Sequence, residues 1–420
     1  MANLRDRLKR IQEQKQNLPV AKQQRGEGNP SDLKLKGWET CGYQVLKREI
    51  TLDSPFKPVK SLPPALAVLV PDLAGRSLPQ IEDFLFFDLE TTGLSGGAGT
   101  LAFLAAFGKL LSEGKPLSNM KLHITQYLLL DYPGENDFLD AVLKEFKNEK
   151  SVIVSYNGKC FDSQILKSRC LMNRIKPPEY YHADLLHPAR RLWKNIINDC
   201  SQSSIETRIL GIDRSGDTPG AMAPEIWFDF LKTGETERLI GICDHNCADI
   251  SGLASIFSAV ISIAGEPLNS EKYNFDIERL ALFWRKFIHI REKYPPTEKA
   301  EVTRLDKLRI TGKEILRYTA DKKYPCASFI YAQDLIRSGD CEEGRKRLLS
   351  ILKTNFPEDT KASALRALAI DSERRLKNLE EARKFVEMGI KLKQICPVRQ
   401  AEFEKRKERL DKKITNRLNP

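Results

Sequence analysis

The sequence predicts an α/β domain, a mixed sheet flanked by helices, followed by an all-α domain built from helical repeats. Three observations carry this. Between residues 81 and 184, short apolar and β-branched segments alternate with segments of helical period. Beyond about residue 265 no strand pattern recurs, and Leu, Ala, Glu, Lys and Arg dominate. Within that tail, GDCEEGRKRLLSIL from Gly339 aligns with KNLEEARKFVEMGI from Lys377 at an offset of 38 residues. A chain of 420 residues, at about 100–200 residues per domain, has room for two or three domains.

Residues 1–36 place Leu4, Leu8 and Ile11 at helical spacing among basic side chains and continue into QQRGEGNPSD, which reads as a basic, partly flexible arm. Residues 37–80, with prolines at 55, 58, 63, 64, 71 and 79, read as an irregular lead-in. From Ile81 the pattern sharpens. IEDFLFFDLE, TLAFLAAFGKLL and KLHITQYLLL predict three consecutive strands and hence a meander. GENDFLDAVLKEFKN predicts a helix, SVIVSY a buried strand, FDSQILKSRCLMN a second helix, and YYHADL a brief strand. LLHPARRLWKNI, SIETRILGI, PEIWFDFLKTG and the long ERLIGICDHNCADISGLASIFSAVISI all read as helical, closing an α/β domain over 81–263. In the basic domain over 271–420, each copy of the repeat follows another helical segment. The unit is therefore a helix-turn-helix that buries its apolar face by stacking on a neighbour, similar to a tetratricopeptide-type repeat.

Composition narrows the function classes. The apolar runs Leu66–Val70 and Leu101–Phe107 are far shorter than the ~20 residues of a membrane span, so no transmembrane helix is expected. The N-terminus lacks the apolar core of a secretory signal, and nine cysteines at irregular spacing without Cys-x-x-Cys suit reduced thiols; a cytoplasmic location is expected. The formal net charge of +11 is unevenly spread. Residues 81–263 hold 18 basic against 24 acidic side chains, residues 1–36 hold 9 against 4, and residues 271–420 hold 36 against 24. An acidic middle lies between basic ends, which either are solvated helical faces that keep the protein in solution or attract a polyanion.

The acidic middle contains three motifs. In FFDLETTG, strand alternation puts Asp88 and Glu90 on one side of the strand at its C-terminal end, where two hard carboxylates suit Mg²⁺ or Mn²⁺. In SYNGKCFD, Asn157 and Gly158 form a turn and Asp162 opens the next helix, either as an N-terminal cap or as a further ligand. In CDHNCADISGL, His245 and Asp249 share one face of a long, otherwise apolar helix at i,i+4.

Together these motifs resemble the DEDD superfamily of 3′–5′ exonucleases, which have a ribonuclease-H-like fold, and most of all its YprB-type branch. The resemblance rests on D-x-E in FFDLETTGLSGGAGT, NGxxFD in SYNGKCFDSQIL and HNxxD in HNCADISGL, and extends over HADLLHPARRLW and GIDRSGDTPGAMAPEIWFDFLKTG. It implies a metal-dependent nuclease acting on DNA or RNA, with Asp88, Glu90, Asp162 and Asp249 holding two Mg²⁺ or Mn²⁺ ions and His245 as general base. His245 stands four residues before Asp249, the spacing of the tyrosine-type group, whereas the histidine-type group has five. The partner implied is a single-stranded nucleic acid entering by its 3′ end, with Asn157 either holding the backbone or only closing its turn. The helical repeats could take a protein partner.

Other features have competing structural readings. Asp184, beside His182 and His187, is a further ligand or a structural carboxylate. Arg190 and Arg191 contact phosphate or form a helix surface, and Trp193, Trp227 and Trp284 are base platforms or core. Cys243 and Cys247 lack the second pair that a zinc site needs. GLSGGAGT lacks both the Gly-Lys-Ser/Thr ending of a P-loop and a following helix. Two rivals to the nuclease remain: a nucleic-acid-binding protein of the same fold without turnover, and a helical-repeat scaffold.

Overall fold

The structure, a computed structural model, describes residues 35–56, 62–74, 79–93, 99–112, 120–146 and 151–418; the arm expected over 1–36 lies outside them apart from its last two residues. Seven strands form one sheet: β1 (Glu39–Gly42), β2 (Val45–Asp53), β3 (Phe84–Thr91), β4 (Ala102–Ser112), β5 (Met120–Leu129), β6 (Val152–Ser155) and β7 (Tyr181–Asp184), in the order β1-β2-β5-β4-β3-β6-β7. β3, β4 and β5 are the expected antiparallel meander, and β6 and β7 continue the sheet in parallel with β3. The C-terminal ends of β3, β6 and β7 consequently lie at one edge, where ligands of open α/β sheets bind.

Residues 37–80 are not an irregular lead-in. β2 pairs antiparallel with β5 along its whole length, from Val45 opposite Leu129 to Asp53 opposite Lys121. Its sequence VLKREITLD does alternate, but charged residues dilute the pattern, and the prolines that suggested irregularity all follow the strand. The helical turn α1 (Leu66–Leu69) then buries all four of its residues. β3 begins at Phe84, three residues later than IEDFLFFDLE suggested, because Gln80 and Asp83 cap each other's backbone around a single 3-10 turn.

Both sheet faces are covered. One packs Leu85, Phe87 and Leu89 against α2 (Glu135–Leu143), α3 (Asp162–Met172) and α6 (Ala223–Thr233), through Phe138, Ile165 and Trp227. The other packs Phe84, Phe86 and Ile124 against the C-terminal half of α7 (Glu237–Gly265), through Ile250, Leu253 and Phe257. By length and hydropathy α7 could cross a membrane, which the short apolar runs elsewhere did not suggest. However, 67% of its apolar window is buried in the protein, so it is the core helix of this layer. α4 (Leu186–Trp193) and α5 (Gln202–Arg208) complete the α/β part.

From α8 (Ile277–Lys293) onward every described regular element is a helix: α9 (Lys299–Asp321), α10 (Pro325–Arg337), α11 (Cys341–Lys353), α12 (Glu358–Arg374), α13 (Leu379–Ile390) and α14 (Pro397–Leu418). Trp284 and Ile315 of α8 and α9 join the core beneath α7, whereas α11–α14 close a separate core around Leu348, Leu365, Val386 and Phe403. The 38-residue echo has a local cause. Gly339 and Lys377 both adopt positive φ, and the next residues, Asp340 and Asn378, each cap a helix by accepting from the amide three positions on.

Candidate active site

The site begins where β3 leaves the core. Phe84 and Phe86 point beneath α7, so alternation carries Asp88 and Glu90 to the same face just as the apolar stretch ends. The turn beyond is pinned by threonines: Thr91 Oγ1 donates to the Gly93 carbonyl at 2.9 Å, and Thr92 Oγ1 accepts from the Leu101 amide at 2.9 Å. The centre of the glycine-rich segment, residues 94–98, lies outside the described residues.

α7 crosses above these carboxylates. Fully buried Asn246 donates through Nδ2 to Asp88 Oδ2 at 2.7 Å. Its own Oδ1 accepts from Gln126 Nε2 at 2.8 Å, and Gln126 Oε1 accepts from Arg48 Nε at 2.7 Å. A polar chain from β2 through β5 thus fixes Asp88. His245, the residue before Asn246, and Asp249, about one turn after it, face Glu90, and these three offer donor atoms within 4.8 Å of one another.

Asp162 arrives from the β6–α3 turn. Asn157 takes the left-handed conformation there (φ 64°), and a side chain on Gly158 would place its Cβ 2.3 Å from Ser155 Oγ and 2.9 Å from Asp162 Oδ2. Asp184 holds this turn as a structural carboxylate, accepting from the amides of Asn157 (2.8 Å), Lys159 (3.1 Å) and Leu186 (3.1 Å). The Asn157 side chain itself is exposed.

His245 has a partner that the sequence did not reveal. Its Nδ1 lies 2.9 Å from Asp217 Oδ2, and its Nε2 lies 3.3 Å from Asp249 Oδ2. Asp217 only accepts and can take a proton from Nδ1, whereas Arg214 Nη2, 3.2 Å from the same atom, only donates, so the proton's place depends on the tautomer. Arg214 lies beside both: Nη2 pairs with Asp249 Oδ1 at 2.5 Å and Asp217 Oδ2 at 2.6 Å, while Nη1 pairs with fully buried Glu206 at 3.1 Å. Gln202 donates to Glu206 and to the Asp249 carbonyl. Gly220 also approaches closely, since a Cβ there would lie 2.8 Å from His245 Nε2. Arg214, Asp217 and Gly220 belong to GIDRSGDTPG, a glycine- and proline-containing stretch that the motif resemblance covers but in which it assigns no residue a role.

The electrostatics are those of a charge deficit. Burial pushes Asp88 well above the usual carboxylate range, reinforced by Asp162, Asp249 and Glu90 against the Asn246 hydrogen bond. Burial does the same to Glu90, with Asp249, Asp162 and Asp217 adding to it. Asp162 is raised to about 7, chiefly by burial. Asp249 is raised by burial even though His245 and Arg214 oppose the shift. Four crowded carboxylates and one imidazole form a donor set that suits hard divalent cations.

The competing candidates are structural. Burial pushes the Cys243 thiol up to about 12, so it stays protonated beside buried Cys247. Trp193, Trp227 and Trp284 are fully buried and donate to the carbonyls of Tyr273, Leu129 and Leu308. Arg191 donates to the Leu69 carbonyl and lies 5.2 Å from the Phe283 ring.

Comparison with known proteins agrees with this architecture. The family model of the RNase_H superfamily matches residues 85–261. The uncharacterized protein YprB of Bacillus subtilis (strain 168) is 38% identical over 180 residues, which are 42% of this chain and 41% of that protein. The chain thus matches about two fifths of the length of that relative. A zinc-bound crystal structure of the E. coli ExoI–ssDNA complex aligns over 78% of this chain and 90% of its own, at 11% identity and a TM-score of 0.23. That superposition is too loose to bear on the site. Residues 85–261 therefore match the RNase_H superfamily within a region similar to YprB, and a helical region follows them in the chain.

Proposed function

We propose that this protein is a metal-dependent nuclease that hydrolyses phosphodiester bonds of DNA or RNA, acting as a 3′–5′ exonuclease on single strands. The observation that carries this reading is that Asp88, Glu90, Asp162 and Asp249, from three separate parts of the chain, lie close enough to raise one another's cost of ionising, with Glu90 and Asp249 beside the imidazole of His245. A fold does not gather like charges at a strand edge for stability, because each raises the cost of ionising the next. The four carboxylates would hold two divalent cations, Mg²⁺ or Mn²⁺, which when bound neutralise the cluster and supply the charge stabilisation of two-metal phosphodiester hydrolysis. Direction and strandedness are supported by the motif resemblance.

The chain's own residues then have assigned tasks. With Nδ1–H donated to Asp217, the lone pair of His245 Nε2 is left beside Asp249 and Glu90, where it takes the proton of the attacking water. Asp217 orients the imidazole. Asn246 keeps Asp88 in one orientation.

One observation favours a second reading. Arg214 occupies Asp249 Oδ1, an oxygen that a cation would also use. If Arg214 never yields it, the protein binds nucleic acid without cutting it. The test is incubation of 3′- and 5′-labelled single-stranded DNA and RNA with the full chain in Mg²⁺ or Mn²⁺, with Asp88→Ala as control. Metal-dependent shortening from the 3′ end is expected from wild type only. Absence of cleavage by wild type, or equal cleavage by the variant, overturns the nuclease; salt-sensitive binding without cleavage selects the second reading.

A further inference from the structure

The helical C-terminal region contains a cationic groove that the catalytic cluster does not use. Glu373, at the C-terminal end of α12, is only 7% exposed and accepts from three cations on one side of α14: Arg406 at 3.1 Å, Arg409 at 2.5 Å and Lys413 at 2.7 Å. One carboxylate cannot balance three cations. Two turns earlier on α12, Arg366 faces Glu402 at 3.4 Å, and Arg374 follows Glu373. A depression of about 300 Å³ lies between the two helices, lined by Arg366, Glu402, Phe403, Lys405, Arg406 and Arg409. Among the described residues, the ion pairs to these cations run to Glu373 and Glu402. The imbalance registers on Arg406, which burial and then the charges of Arg409, Arg366 and Arg374 hold below the usual guanidinium range, against the pull of Glu373.

The pattern is linear as well as local. Arg399, Arg406, Arg409, Lys413 and Arg417 recur every three, four or seven residues along α14, so they share one face of a rod. From Arg399 to Arg417 that face runs for about 27 Å at 1.5 Å per residue. The ligand matched to a line of four guanidinium forks and one ammonium is a chain of phosphates.

We propose that the α12–α14 groove binds the phosphodiester backbone of single-stranded nucleic acid. This rests on the nuclease reading for the identity of the polyanion, and it gives the basic tail the task of retaining a strand that the acidic cluster repels. The aromatic ring lining the depression, Phe403, is itself buried, so binding does not depend on base identity.

The test uses the full chain in EDTA, so that nothing is cut, with a fluorescein-labelled single-stranded 30-mer read by anisotropy. Arg366→Gln, Arg374→Gln and Lys405→Gln are combined, because these side chains lie outside the buried Glu373 network. We expect affinity to fall on the order of tenfold at low salt. The slope of log K against log salt should become shallower by about 2, because each phosphate of a single strand that a cation neutralises adds about 0.7 to it. Unchanged affinity and slope overturn the proposal. A second measurement needs no variant: the oligonucleotide should protect Lys405 and Lys413 of the wild type from amine acetylation, and equal labelling with and without it also overturns the proposal. If a polyglutamate peptide binds the groove and the oligonucleotide does not, the partner is an acidic protein and the proposal fails. Cleavage by wild type is scored separately, and its absence would overturn the nuclease reading while leaving a positive binding result intact.

Discussion

In α12, Asp371 accepts from Arg345 and Arg375, and Glu373 accepts from Arg406, Arg409 and Lys413, so buried carboxylates there meet cations. At the end of β3, the charged neighbours of Asp88 are Asp162, Asp249 and Glu90. Burial alone would raise all of these groups. In α12 the arginines and lysine overcome it and hold both carboxyls below their usual range, whereas at the β3 edge the neighbours add to it. The two regions solve the same desolvation problem differently. The helical C-terminal region satisfies its buried carboxylates from within, as a structural network does. The sheet edge, with only Arg214 and His245 opposing four acids, leaves a negative excess for something outside the chain.

Substitutions should therefore act oppositely in the two places. Asp88→Ala is expected to lower metal-dependent cleavage by about three orders of magnitude or more, since it removes a member of a unit whose parts act together. At pH 8 the metal-free variant should melt no lower than wild type, because a repulsive carboxylate is gone. A large fall in melting temperature would show that Asp88 serves the fold instead. Asp371→Ala should do the reverse. It leaves Arg345 buried without that partner, costing about 3–5 kcal/mol in chemical denaturation. A cost under about 1 kcal/mol would remove the contrast.

Asp217→Asn sharpens the comparison within the site. An amide can still touch His245 but no longer demands its proton, so kcat should fall about 10- to 100-fold, the usual range for a residue that orients a metal-site group. Titration calorimetry with Mn²⁺ should show nearly unchanged metal affinity. A loss confined to metal binding would make Asp217 a ligand and not an orienting group.

The smallest effect expected is thermal. Asp162 protonates near 7 in the folded protein, against about 4 unfolded. Between those values the native state binds more protons than the unfolded state, so metal-free stability falls as pH rises through that window. A divalent cation bound to the ionised cluster should offset the loss. Its stabilisation, by scanning calorimetry, should be larger at pH 8 than at pH 5.5, by a few degrees. A shift that is independent of pH would show that these carboxylates do not bind the metal.

Much of this was legible in the chain. Period-two alternation placed Asp88 and Glu90 together, and helical period placed His245 and Asp249 together, because local geometry alone decides which neighbours share a face. The meander, β6, β7 and the 38-residue echo were visible for the same reason. β2 was missed because charged residues interrupt its alternation and a partner strand 68 to 84 positions away completes it. Asp217 and Arg214 were missed because a loop carries no period, and Asn246 because its neighbour His245 drew attention while its own role depends on Gln126, 120 residues earlier.

The sequence by itself determined which residue types exist at strand ends and on helix faces, since those follow from backbone periodicity. It also set the uneven charge, acidic in the middle and basic in the tail. Only the tertiary structure decided which charges are compensated. Whether a buried carboxylate meets an arginine, as at Glu373, or another carboxylate, as at Asp88, depends on contacts between segments far apart in the chain, and the Coulomb energy of those contacts depends on distances of a few ångströms that no local pattern encodes.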